Sequence, residues 1–262
     1  MKAKTNGIET NYEIHGKEGA PWLVLSHSLA CSVRMWDPQI AALKGSYRVL
    51  AYDTRGHGAS EAPKGAYTLE MLADDLKALL DSLGVKNPHF CGLSMGGMIG
   101  QTFALKYPGV LKTLMLADTT SRFPAEVGPL WQDRIKIAEE KGMAPLVQPT
   151  LERWFTEPFR KSHPEPVAAI AKLIASTPAA GYAGCCHAIP KINLTTRLKE
   201  IKTPMLVICG DQDPGTPPAM AREIHDNAPG SKLVMIPQAA HLANLENPAA
   251  FTKAMQEFLV AH

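Results

Sequence analysis

The chain has 262 residues, 45% hydrophobic and 20% charged, which is enough apolar content to bury a full core. Basic residues number 27 and acidic residues 25, so the net charge of +2 gives no electrostatic case for a nucleic-acid or membrane-surface partner. No apolar run reaches the length of a membrane span, and Met1-Lys2-Ala3-Lys4-Thr5 lacks the core of a signal peptide; the expectation is cytoplasmic. The five cysteines are an odd set whose spacing matches no zinc pattern. Cys91 and Cys209 sit in apolar runs as small core residues. Cys185-Cys186-His187 is read as neither a metal nor a redox site, although one of the three could face a substrate pocket.

In chain order, residues 8–15 read as an opening hairpin and Trp22–Ser26 as a buried strand. Residues 47–53 form another strand, leading into Asp53-Thr54-Arg55-Gly56-His57-Gly58-Ala59-Ser60. The glycines there mark a tight turn, and His57 is read as structural. Over residues 68–83, Leu69, Leu72, Leu76, Leu79, Leu80 and Leu83 recur at helical spacing, with Thr68 as the cap and Gly84 as the stop. His89–Leu93 is a further strand, residues 98–106 a helix and residues 111–116 a strand. Then the alternation stops: residues 123–199 are helical in pattern and dense in proline (Pro124, Pro129, Pro145, Pro149, Pro158, Pro164, Pro166, Pro178, Pro190). Strands return at residues 205–209 and Lys232–Ile236, and Pro248 opens the last helix. Alternating strands and helices give a mostly parallel, doubly wound α/β sheet. Residues 1–122 and 200–262 are its core; residues 123–199 form a helical lid inserted after the strand that follows the helix at 98–106.

Gly92-Leu93-Ser94-Met95-Gly96-Gly97 lies where a strand meets a helix, the context of a nucleophile elbow. Glycines flank the serine because a Cβ there would strike neighbouring strands, and the turn lifts the hydroxyl above the sheet. A serine hydroxyl needs a base, and the base an orienting carboxylate. Gly210-Asp211-Gln212-Asp213 and Ala239-Ala240-His241-Leu242 each follow a later strand, at the sheet edge where Ser94 emerges. The order serine, acid, histidine is that of the α/β-hydrolases. Asp211 and Asp213 both remain open as the acid on position alone. The Met95 N–H, directly after the serine, is one oxyanion donor, and the loop His27-Ser28-Leu29-Ala30 supplies the other.

These motifs resemble those of the α/β-hydrolase superfamily. Gly210 and Asp213 fit its Gly-x-x-Asp acid loop, which implies Asp213 as the acid, and Ala240-His241 with Glu246-Asn247-Pro248 is similar to its histidine loop. The 27–30 segment is similar to the His-Gly-x loop, with Ser28 in place of glycine; that implies the Leu29 N–H as second donor and His27 as a structural histidine behind it. Nearly end to end, the chain looks like the 3-oxoadipate enol-lactonases of aromatic-acid catabolism. The carriers are Tyr52-Asp53-Thr54-Arg55-Gly56-His57-Gly58, Phe90-Cys91-Gly92-Leu93-Ser94-Met95-Gly96-Gly97, Glu152-Arg153-Trp154-Phe155-Thr156, Gly181-Tyr182 and Thr216-Pro217-Pro218-Ala219.

The resemblance implies a serine hydrolase that opens a carboxylate-bearing enol-lactone through Ser94, His241 and Asp213, with no metal or organic cofactor. A small-molecule lactone or ester is the implied partner; oligomeric state is not legible. A substrate carboxylate calls for an arginine in the lid. Trp131 and Arg134 lie three apart on one helix face and are the first choice, then Arg153 beside Trp154, then Arg122. A small-ester carboxylesterase on the same residues, or a ligand receptor that keeps a hydrolase core, are the alternative readings.

Overall fold

Short apolar runs bounded by polar turns become the strands of one sheet, and the leucine-spaced segments between them become its covering helices. The computed structural model describes residues 1–262. Its strands are β1 (Lys2–Thr5), β2 (Ile8–His15), β3 (Trp22–Ser26), β4 (Arg48–Tyr52), β5 (His89–Leu93), β6 (Thr113–Ala117), β7 (Met205–Gly210) and β8 (Lys232–Ile236). They form an eight-stranded sheet in the order β1-β2-β4-β3-β5-β6-β7-β8. β1 with β2 and β2 with β4 are antiparallel, and every other pair is parallel. The β5, β6 and β7 residues are buried throughout, as strands covered on both faces must be.

The helices are α1 (Asp37–Leu43), α2 (Leu69–Ser82), α3 (Met95–Lys106), α4 (Gly128–Lys141), α5 (Ala144–Trp154) and α6 (Glu157–Ser162). They continue with α7 (Pro164–Ser176), α8 (Ala179–Ala188), α9 (Pro218–Asn227), α10 (Ala243–Glu246) and α11 (Pro248–Val260). α4 to α8 lie in sequence between β6 and β7, where the helical insertion is expected. α2 begins as its sequence requires: the Thr68 hydroxyl accepts from the Met71 N–H at 3.0 Å. No helix is long and apolar enough to cross a membrane.

Three boundaries differ from the sequence reading. Residues 8–15 are one strand, not a hairpin; the partner is β1, joined through Asn6 and Gly7 at φ +45° and +80°. Two consecutive positive φ values are the signature of a type I′ turn, which suits the strand twist. The strand expected at 111–116 is β6, Thr113–Ala117, two residues later at its start and one at its end; the Lys112 N–H bonds Pro88 O at 2.8 Å just ahead of the paired strands. The helix expected from residue 98 starts at Met95, since the elbow itself is its first turn.

α8 is fixed to the core by contact between two backbones. A Cβ on Gly181 would stand 2.0 Å from the Gly56 carbonyl oxygen, so only glycine permits this approach. Beside it the Tyr67 N–H donates to Gly184 O at 3.0 Å. The turn at 53–60 is thereby a floor for the inserted helices as well as a link between strands.

Candidate active site

Ser94 stands between β5 and α3 with φ +56° and ψ −114°, a conformation that costs on the order of 1–3 kcal/mol unless neighbours hold it. They do: its N–H donates to Ala117 O at 2.8 Å, and its carbonyl accepts from Thr119 Oγ1 at 2.7 Å. A Cβ on Gly92 would meet Gly96 O at 2.2 Å, and one on Gly96 would meet Ser26 O at 2.2 Å. Helix and sheet therefore touch through bare backbone on both sides of the serine, which supplies the geometric reason for both glycines.

The Met95 N–H opens α3 and has no intrahelical acceptor. Across the pocket, the 27–30 loop is held from behind by His27. Its Nε2 accepts from the Thr54 N–H at 2.9 Å, and its Nδ1 donates to Ser28 O at 2.7 Å. That pattern fits one neutral tautomer, and burial holds the ring below the ordinary histidine range. His57 packs 5.3 Å away, ring centre to ring centre, and burial with His27 beside it pushes it down to about 3. Neither imidazole lines the pocket, in keeping with the structural reading of both.

Asp213 and His241 meet directly: His241 Nδ1 donates to Asp213 Oδ2 at 2.8 Å. The same oxygen accepts from Thr216 Oγ1 at 2.7 Å, and Oδ1 accepts from the Gly215 and Thr216 N–H groups at 2.7 and 3.1 Å. Burial pushes this carboxyl up, but His241 and the Thr216 donors outweigh it, and Asp213 stays below the usual carboxylate range. Asp211 is exposed and accepts only from the Ala239 N–H at 3.4 Å, so of the two aspartates only Asp213 meets the imidazole. The sequence signal for this Thr216 contact is slight, a hydroxyl three residues after an aspartate and just ahead of prolines.

Asp118, at φ +42° after β6, is a second residue that sequence reasoning passed over. Its Oδ1 accepts from the Gly210 N–H at 2.7 Å, while Oδ2 is buried and unpartnered. Burial and the nearby Asp213 hold this carboxyl well above its ordinary value. Ligand atoms of Asp118, Cys209 and Asp213 lie within 4.8 Å of one another. Three of the four Asp213 donors come from Gly215 and Thr216, so that carboxylate is already saturated by the protein.

Ser94 and His241 open into one cavity of about 340 Å³, roofed by the inserted helices and lined also by Ser28, Leu29, Met98, Phe123, Trp131, Arg134, Thr150, Arg153, Trp154, Tyr182 and Thr216. The Trp154 ring stacks on His241, centroids 6.0 Å apart and planes 30° off parallel. The Arg134 guanidinium lies 4.5 Å above the Trp131 ring, as three-residue spacing on α4 requires. Arg153 is buried by more than half and hydrogen-bonds Thr150 Oγ1 at 3.3 Å. Burial, then the charge of Arg134, lowers its pKa, and no carboxylate is within ion-pair distance of either arginine. Arg122 does not join them: it faces outward and pairs with Glu223 at 2.6 Å, where a bridge to Asn193 ties the two ends of the insertion. Cys185 and Cys186 are fully buried and outside the lining, their thiols pushed up by burial. His187 faces a separate depression with Lys64 and Glu139. None of the three lines the Ser94 pocket: Cys185 lies on the 53–60 turn, Cys186 sits behind Tyr182, and His187 turns to the separate depression.

Residues 21–248 match the model of the alpha/beta hydrolase fold. The chain belongs to the α/β-hydrolase family. Two curated relatives of this hydrolase are 3-oxoadipate enol-lactonases 2 and 1 of Acinetobacter baylyi. The first is 37% identical, covering 95% of this chain and 92% of its own; the second is 34% identical, covering 99% and 96%. The crystal structure of the enol-lactonase from Burkholderia xenovorans LB400 superposes with a TM-score of 0.96 at 40% identity, covering 99% of the hydrolase and 100% of that chain.

Proposed function

We propose that this hydrolase opens 3-oxoadipate enol-lactone, or a close carboxylate-bearing lactone, through an acyl-enzyme on Ser94, with residues 123–199 acting as its lid. The observation that carries the substrate is the pair Arg134 and Arg153: two guanidinium groups without a carboxylate partner, in the pocket that Ser94 and His241 line. Leaving two cations unneutralised in a confined site is costly unless a ligand completes them. The full-length likeness to enol-lactonases supports the same reading.

In the proposed mechanism, Ser94 Oγ attacks the lactone carbonyl carbon and its proton passes to His241 Nε2. Asp213 holds the imidazole by Nδ1 and stabilises its charge. The Leu29 and Met95 amides hold the tetrahedral oxyanion. Collapse breaks the ring C–O bond; the enolate oxygen leaves and takes the proton from His241, and the enol becomes a ketone still tethered to the acyl group. Water then gives a proton to His241 and its oxygen to the acyl carbon. The ester bond to Ser94 breaks, the proton returns to Oγ, and 3-oxoadipate departs. Because an enolate leaves readily, positioning and the oxyanion donors count for more than acid assistance.

Arg134→Ala and Arg153→Ala test the clamp. A charge-assisted hydrogen bond contributes about 2–3 kcal/mol, or about 30- to 150-fold in kcat/KM for the lactone. Turnover of p-nitrophenyl acetate, which has no carboxylate, should change by less than about threefold. Equal losses on both substrates would remove the clamp, and no loss on either would favour a small-ester carboxylesterase.

A further inference from the structure

One side chain outside the Ser94–His241–Asp213 set joins the lid to the histidine loop. Glu246, the last residue of α10, is half-buried, and both of its oxygens are occupied by donors from two different elements. Oε1 accepts from the Thr156 N–H at 2.8 Å and from Thr156 Oγ1 at 2.7 Å; Oε2 accepts from the Ala240 N–H. Thr156 belongs to the lid corner after α5, and Ala240 directly precedes His241. A backbone bond runs alongside, from the Leu242 N–H to Trp154 O at 3.1 Å. Trp154 itself stacks on His241, and its neighbour Arg153 faces the pocket.

We propose that Glu246 is a positioning residue, whose carboxylate ties the lid corner Trp154-Phe155-Thr156 to the His241 loop so that pocket wall and imidazole keep one register. The proposal rests on the reading of His241 as the base. The three N–H and O–H groups around Glu246 are all donors, so only a group that accepts at both ends fits. An amide of the same shape turns an NH2 toward a donor and breaks one end of the tie. The charge of Arg160 favours this carboxylate, and its Nη1 donates to Phe155 O in the same corner. Any ligand that draws on Arg153 thus acts on a segment bonded to the residue before the imidazole.

The test uses the whole chain. Sites are titrated by diethyl p-nitrophenyl phosphate, which phosphorylates an activated serine, and kcat for p-nitrophenyl acetate is expressed per titrated site. A displacement of the base by a fraction of an ångström lowers kcat per site by about tenfold in Glu246→Gln, with KM within about twofold. Thr156→Val, which removes one of the two Thr156 donors, loses about threefold, and the double variant loses no more than Glu246→Gln because both break one connection. Unfolding temperatures are recorded beside these rates. A wild-type kcat per site in Glu246→Gln, whatever its stability, would overturn the proposal, as would multiplicative losses in the double variant. Failure of the wild type to be phosphorylated at Ser94 would instead remove the nucleophile on which it rests.

Discussion

Ser94→Ala is expected to lose at least about 10⁴-fold in kcat on any ester or lactone, with the fold intact. The size follows from covalent chemistry: without Oγ no acyl-enzyme forms, and only binding and the oxyanion amides remain. Folding should be spared because the elbow is held by its main chain, through Ala117 O and Thr119 Oγ1, not through the hydroxyl. Alanine tolerates the positive φ no worse than serine does. Circular dichroism and an unfolding curve beside p-nitrophenyl acetate turnover make the measurement. Activity above about 1% of wild type in a folded variant would show that another nucleophile operates.

Asp213→Asn should cost about 10³- to 10⁴-fold in kcat. The amide can present NH2 to His241 Nδ1, which turns the imidazole to the wrong tautomer for accepting from Ser94. The two bonds at Oδ2, now donated by His241 and Thr216, would both have to reverse for that exchange. The variant also alters acid stability, and the sign is set by the lowered pKa of Asp213. A carboxyl depressed on folding contributes stability above its unfolded pKa, and that contribution is lost as pH falls through the folded value. Wild type should therefore lose more stability than Asp213→Asn as pH drops below the ordinary carboxylate range. Denaturant unfolding on either side of that range measures the difference; identical slopes would mean that Asp213 is not held ionised by its four donors.

The elements that carry the site were legible because each rests on a local cause. The elbow needs glycine wherever backbone meets backbone, and the sequence has Gly92 and Gly96 where a Cβ would come within 2.2 Å of a carbonyl. Trp131 and Arg134 face one way because helical spacing leaves no choice. The family pattern favoured Asp213 over Asp211, and the loop after β7 turns only Asp213 toward His241. What escaped were contacts between segments with no shared periodicity. Thr156 and Glu246 are 90 residues apart, and nothing local to either announces that they meet. Asp118 is hidden for the same reason, since its neighbour Gly210 belongs to the next strand in the sheet. Cys185-Cys186-His187 stands out by composition, yet the three side chains point to different neighbours, Cys185 Sγ lying 3.9 Å from Arg55 O on the 53–60 turn and His187 facing Lys64 and Glu139. The opening hairpin lies one strand earlier than the alternation over 8–15 predicts, because its turn is Asn6-Gly7, a strong hairpin signal just ahead of that run.

The most direct test of the proposed function compares two substrates on the wild-type protein. kcat/KM is measured for 3-oxoadipate enol-lactone, generated in the cuvette, and for p-nitrophenyl acetate in the same buffer. A carboxylate held by Arg134 and Arg153 should place the lactone value above the ester value by about 10²-fold or more. Parity, or a preference for the ester, would contradict the lactonase reading and leave a small-ester hydrolase on the same fold.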